Sequence, residues 1–220
     1  MSDGMRAVLW RLAALPPDRR RVAIMELSEP QKRELHNAWW LFEACRVGAA
    51  PALVRTVVAV DPPASAEGDA CGIVAVGLGE DGRGYVLEDA SVRGLSPEVW
   101  ARAVVRCATR HRADRVIAEK NQGGNMVASV LFAADAALPL ALVHATQGKT
   151  LRAEPVSLLY EQGRVSHVGG FPDLEDELCG FVIGGGYDGP GGSPDRADAL
   201  VWALSELLLK KRKAARVRQL

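Results

Sequence analysis

The sequence lacks net charge. Across 220 residues, lysine plus arginine equals aspartate plus glutamate. A global electrostatic attraction for nucleic acid is thereby excluded, and only local clusters can recruit a polyanion. Long hydrophobic runs are also missing. No stretch of about 18 apolar residues occurs, which excludes a membrane-spanning helix and leaves no membrane among the expected partners. The N-terminus, Met1 to Arg21, mixes charges throughout and carries no signal-peptide pattern. Cysteine is sparse. Cys45, Cys71, Cys107 and Cys179 are scattered, with no C-x-x-C pair and no histidine at metal-ligand spacing. Reduced, structural thiols in a cytoplasmic protein are the expectation. Internal repeats are absent too.

What is present reads as a globular domain with an appendage, since 48% of residues are hydrophobic and 25% charged. Residues 1–46 have helical periodicity. Val8, Leu9, Leu12 and Leu15 share a face, Pro16-Pro17 interrupts, and a second run extends from Arg19 to Leu27. Ser28 then suits the N-cap of a third helix running through Trp39, Trp40 and Cys45. From Pro51 the pattern changes. VRTVVAV (54–60), GIVAVGL (72–78) and GYVL (84–87) predict three strands with short connections, as in an antiparallel meander. Ser96-Pro97 opens an amphipathic helix carrying Trp100, Val104, Val105 and Ala108. Strands at 115–118, 138–144 and 164–168 alternate with helices at 125–134, 151–162 and 173–181. A glycine-rich loop (184–192) then leads into a last helix from Pro194 to about Lys213. The fold class is α/β with a mixed sheet.

Four acids stand where the chain leaves or enters a regular element: Asp61 and Glu119 after strands, and the pair Asp195 and Asp198 at the start of the last helix. Catalytic groups in open α/β sheets gather at such places. Clustered carboxylates suit hard divalent ions, and two such ions can hold both oxygens of an in-line phosphodiester displacement. Each acid also has a plainer reading. Asp61 before Pro62-Pro63 suits a turn, and Glu119 suits a solvated strand end. Ser193 fits an N-cap, Pro194 the N1 position and Asp195 the N2 position, where a carboxylate favours the helix dipole. Asp198 lies one turn further in, beyond the cap, and is the better metal ligand of the two.

Four segments carry a resemblance: VVAVDPPAS (57–65), VIAEKNQGG (116–124), RAEPVSLLYEQGRVSHVG (152–169) and SPDRADALVWALSEL (193–207). In this order they resemble the nuclease domain of terminase large subunits, most nearly those of phages and gene-transfer agents of the alphaproteobacterial kind. The likeness runs from about residue 51 to 209. It implies an RNase H-like mixed β-sheet flanked by helices, with a nuclease domain over 51–213 and a basic tail over 214–220. It implies that Asp61, Glu119, Asp198 and the neighbouring Asp195 hold two Mg²⁺ or Mn²⁺ ions for endonuclease cutting of concatemeric DNA during packaging. Double-stranded DNA is the implied substrate. A portal protein, a small terminase subunit or a separate packaging ATPase are the implied partners, in the cytoplasm of a bacterial host. Residues 6–40 are similar to the segment that precedes a packaging motor, yet no phosphate-binding loop follows. Gly148-Lys149-Thr150 is not one, because position 143 is Val. Lys149 and Arg152 are expected to contact DNA phosphates instead. The run Lys210, Lys211, Arg212, Lys213, with Arg216 and Arg218, reads either as a solvated helix end or as sequence-independent phosphate contacts. His144 ends a strand near the site, whereas His36, His111 and His167 have no spacing argument. A resolvase-like nuclease and a catalytically idle DNA-binding or assembly remnant are the competing readings.

Overall fold

The computed structural model describes residues 42, 44–63, 70–94, 96–120, 124–181, 186–189 and 192–210, with 19, 23, 25–28 and 30 ahead of them. Its elements in chain order are β1 (Arg46–Val47), β2 (Leu53–Asp61), β3 (Ala70–Gly79), β4 (Gly84–Asp89), β5 (Val92–Arg93), α1 (Pro97–Arg110), β6 (Arg115–Glu119), α2 (Gly124–Ala134), β7 (Leu140–Val143), α3 (Lys149–Glu161), β8 (Val165–Val168), α4 (Pro172–Cys179) and α5 (Asp195–Leu204), which runs into a π-helical turn (Ser205–Leu209).

The expected meander forms. β2 pairs antiparallel with β3, and β3 with β4. β6 then adds parallel to β2, and β7 parallel to β6. The sheet order is β1-β8-β4-β3-β2-β6-β7, with β5 on β3, so the sheet is mixed as expected. Helices cover both faces. Because side chains alternate along a strand, Val57 and Ala59 pack with α3, α4 and α5, whereas Val58 and Val60 pack with α1 and α2. In β6, Ile117 joins the first cluster, and Val116 and Ala118 the second. Each such aliphatic side chain, fully withdrawn from water, contributes about 1.5–3 kcal/mol.

One irregularity resets this alternation. Val76 faces Val86 but Ala75 faces Glu88, so Leu87 is the extra residue of a β-bulge. Glu88 thereby turns to the α1 face and Asp89 to the α5 face.

Three expectations change at the ends of elements. Most of the helical segment expected over 1–46 lies outside the described residues, and Arg46 is already strand, pairing with His167 on β8. Ser193 does not cap α5: Pro194 occupies the N-cap position, and the Ser193 hydroxyl is turned to the Asp195 carboxylate instead of a backbone amide. The last helix stops at Leu209 rather than near Lys213, because the π-turn closes it and Lys210 is extended. Lys211, Arg212, Lys213 and the 214–220 tail lie outside the described residues.

Candidate metal centre

The parallel register of β2 and β6 sets Val60 beside Ala118. Asp61 and Glu119 therefore come next on adjacent strands, both at the carboxyl end and both on the α5 face. Asp61 closes a run of fully buried residues, and Glu119 does the same for RVIAE. The third acid arrives on α5, whose apolar residues (Ala199, Leu200, Val201, Ala203) bury it against the sheet.

Two features fix where α5 begins. Gly72 pairs with Asp61 across β2 and β3, and a Cβ there would sit 2.0 Å from the Asp195 carbonyl oxygen. Only glycine allows the helix to approach so closely. Glu177 on α4 supplies the cap that Ser193 does not. Its Oε2 accepts the Arg196 and Ala197 backbone amides at 2.8 and 3.1 Å, and its Oε1 the Arg196 guanidinium at 3.1 Å. Arg196 in turn reaches Asp89, the residue swung to this face by the bulge, at 3.0 Å.

The result is a buried triad. One carboxylate oxygen from each of Asp61, Glu119 and Asp198 lies within 4.8 Å of the others, and Asp198 is wholly buried. Two cations from the first turn of α3 are set into it. Lys149 Nζ donates to Asp61 Oδ2 at 2.7 Å, to Ser193 Oγ at 3.3 Å and to Asp195 Oδ1 at 3.4 Å, and lies 3.7 Å from Asp198 Oδ2. Arg152 donates through Nη2 to both oxygens of Asp198 at 2.9 and 2.8 Å and through Nη1 to Glu119 Oε2 at 3.1 Å. Its guanidinium carbon lies 4.6 Å from the centre of the Trp202 ring. Trp202, one turn beyond Asp198, donates its indole N–H to Glu119 Oε2 at 2.9 Å.

This charge balance is unfinished. Burial, reinforced by Asp198 and Asp195 against the pull of Lys149, pushes the Asp61 carboxyl up to about 8. Burial likewise pushes Asp198 up to about 6, with Glu119 adding to it and Lys149 and Arg152 opposing. For Lys149, burial works against its charge, but Asp61 and Asp198 outweigh it and hold the ammonium protonated well above the usual lysine range. Three carboxylates thus share two side-chain cations, and their mutual repulsion is what a further cation would relieve. An ionised carboxylate has about four lone-pair sites, so these contacts leave the oxygens able to ligate a hard divalent ion. The all-oxygen donor set fits Mg²⁺ or Mn²⁺.

Among the residues singled out in the sequence, Asp61, Glu119 and Asp198 converge, and Asp195 lies beside them on Lys149. Lys149 and Arg152, expected on DNA phosphates, are engaged with the carboxylates. Lys149 remains one-third exposed, whereas Arg152 is 9% exposed. Lys210 is paired with Glu206 at 2.9 Å. His144 lies exposed just beyond β7. Trp202 and Glu177 were missed. Trp202 stands at one helical turn from Asp198, a signal present in the sequence. The Glu177 cap comes from another helix and leaves no local signal.

Residues 58–207 match the sequence profile of the Terminase RNaseH-like domain. A search of curated protein sequences returns no match. Among solved structures, the large terminase nuclease from thermophilic phage G20c, with bound magnesium, shares 16% identity at a TM-score of 0.54, over 76% of this chain and 96% of that one. The nuclease domain of the large terminase subunit of bacterial virus Sf6, with manganese, gives 16% and 0.56, over 76% and 96%. The HK97 bacteriophage large terminase gives 16% and 0.54, but there the match spans only 42% of the longer chain. These likenesses place the α/β sheet among RNase H-like folds.

Proposed function

The chain belongs to the Terminase RNaseH-like domain family, and from that premise we propose that it is a metal-dependent endonuclease acting on double-stranded DNA during genome packaging. The observation that carries this is the convergence of Asp61, Glu119 and Asp198 in one buried cluster, where neighbouring acids oppose one another's ionisation. These three residues would hold Mg²⁺ or Mn²⁺, two ions in the fuller reading, with Asp195 assisting. When bound, such ions supply Lewis-acid stabilisation of the phosphodiester and a nucleophile at neutral pH. The rest is the chain's own work. Arg152 and Trp202 hold Glu119 and Asp198 in place and act as positioning residues. Lys149 neutralises Asp61 and, being partly exposed, is the cation able to turn toward a phosphate. Lys210 and the basic residues after it would add sequence-independent contacts with the DNA backbone. Portal protein, a small terminase subunit or a separate packaging ATPase are the proposed partners, and the host cytoplasm the proposed place of action.

Nicking of supercoiled plasmid in Mn²⁺ tests the reading, with wild type set against Asp61→Ala and Asp198→Ala. Wild type should nick and both variants should not. Equal inactivity of all three would favour the idle, DNA-binding reading, and activity retained in the variants would displace the site. A preference for four-way junctions over linear duplex would favour a resolvase instead.

A further inference from the structure

On the opposite face of the sheet from the acid triad, Glu88, Cys107 and His111 each present one ligand atom within 4.8 Å of the other two. Cys107 and His111 stand one turn apart at the end of α1, hence on one helix face. That spacing corrects the reading that no histidine stands at metal-ligand spacing from a cysteine: the helix expected from Ser96-Pro97 runs far enough to bring His111 one turn beyond Cys107. Glu88 comes from β4, and it reaches α1 only because of the bulge at Leu87. With strict alternation it would share the face of Val86. Bulges that re-aim a side chain in this way occur preferentially beside functional sites.

We propose that Glu88, Cys107 and His111 form a second cation site, selective for a borderline-soft divalent ion of the zinc class. His111 Nε2 and Cys107 Sγ converge on the same oxygen, Glu88 Oε2, at 2.6 and 4.0 Å. One sulfur, one imidazole nitrogen and one carboxylate oxygen, with water in the fourth place, is a donor set that zinc accepts and magnesium does not favour. The two faces would therefore sort their ions by chemistry. A histidine–glutamate ion pair alone would need the bulge but not the buried thiol beside it. Arg110 Nε also donates to Glu88 Oε2 at 3.0 Å; its side chain is 57% exposed and free to swing into solvent when a cation takes its place. Cys107 is fully buried, whereas the side chains of His111 and Glu88 are 20% and 26% exposed, which gives an ion a way in. Burial, with the Glu88 charge, pushes the thiol up to about 12. Binding therefore forms a metal–sulfur bond and releases the thiol proton to solvent.

Cobalt(II) is the probe, because a thiolate-to-cobalt charge-transfer band arises only from a cysteine ligand. The full chain carrying Asp61→Asn and Asp198→Asn, which silences the acid triad, is titrated with Co²⁺. The band should appear. It should vanish in Cys107→Ala and persist in Cys71→Ala, which removes the thiol that feels the Asp61 charge. His111→Gln should weaken Co²⁺ binding about tenfold or more. No band at saturating Co²⁺, or a band that survives Cys107→Ala, would overturn the site. Should Cys107→Ala fail to fold, X-ray absorption of the zinc-loaded Cys107-containing chain decides the matter: one sulfur at about 2.3 Å supports the site, and a shell without sulfur ends it.

Discussion

On one face of the sheet, Val58, Val60, Ile73 and Val116 meet Trp100, Val104 and Leu131 in an almost wholly apolar interface. On the other, Val57, Ala59, Val74 and Ile117 share their layer with Asp61, Glu119, Glu177 and Asp198. The same strands supply both. Val58 and Val60 point one way, Val57, Ala59 and Asp61 the other. Dispersion and withdrawal from water account for the first face. They do not account for the second, since buried ion networks at best roughly offset their desolvation and are often bettered by apolar replacements. Such a network at the carboxyl ends of two parallel strands fits the proposed metal-dependent cutting better than it fits a stabilising role. The contrast between the faces is thus a contrast between what holds the molecule together and what it holds ready.

The sharpest way to break this contrast is Asp198→Asn. Metal-dependent nicking should fall on the order of 10³-fold, while the thermal midpoint holds or rises because burial already disfavours the ionised form of Asp198. A variant that cuts at the wild-type rate would move the chemistry off this face. Leu131→Ala does the reverse on the apolar face. It should lower unfolding free energy by about 2–5 kcal/mol and leave Mn²⁺ affinity, measured by calorimetry well below the melting range, unchanged. Gly72→Ala should couple the two properties, with overpacking of about 1–3 kcal/mol and a loss of nicking, because α5 is pushed from Asp61. Stability intact with activity intact would mean that the helix yields without consequence.

The pH dependence separates the faces more gently. The metal-free Asp61 carboxyl lies at about 8, above its ordinary 3.8. A raised carboxyl favours the folded state below pH 3.8, and this contribution is lost as the pH climbs through about 8. Adding Mn²⁺ should reverse the trend, and its affinity should climb between pH 6 and 8 as Asp198 and Asp61 lose their protons. A flat affinity over that interval would exclude these acids as ligands. At the small end is Arg102→Ala, which cuts an exposed ion pair with Glu98 on α1. Its effect on chemical denaturation should stay within about 0.5 kcal/mol, in contrast with any change in the buried network.

Much of the scaffold is legible in sequence because β-branched runs announce buried strands: VRTVVAV, GIVAVGL and RVIA each form at nearly the expected bounds. The acids are legible for a related reason, since each closes an apolar run or opens a helix. Less can be read where a contact is distant or a rule is broken locally. β1 is two residues long and exists only because β8 pairs with it. In the π-turn that ends the last helix, Glu206 pairs with Arg55 and Arg115, contacts distant in sequence. The bulge at Leu87 inverts the facing of Glu88 and Asp89, so counting alternate residues along β4 assigns both to the wrong side. Lys149 and Arg152 look like surface cations in a linear reading, and become partners of the acids only when α3 is laid against α5.

The close seating of α5 over Gly72 also decides whether the cluster is whole. Asp61 and Glu119 lie in neighbouring strands and can meet as soon as β2 and β6 pair, but Asp198 comes last in the chain. The sheet alone therefore carries two of the three acids, and the cluster is complete only with α5 seated on it. On the proposed reading, competence to cut DNA then depends on the seating of that one helix.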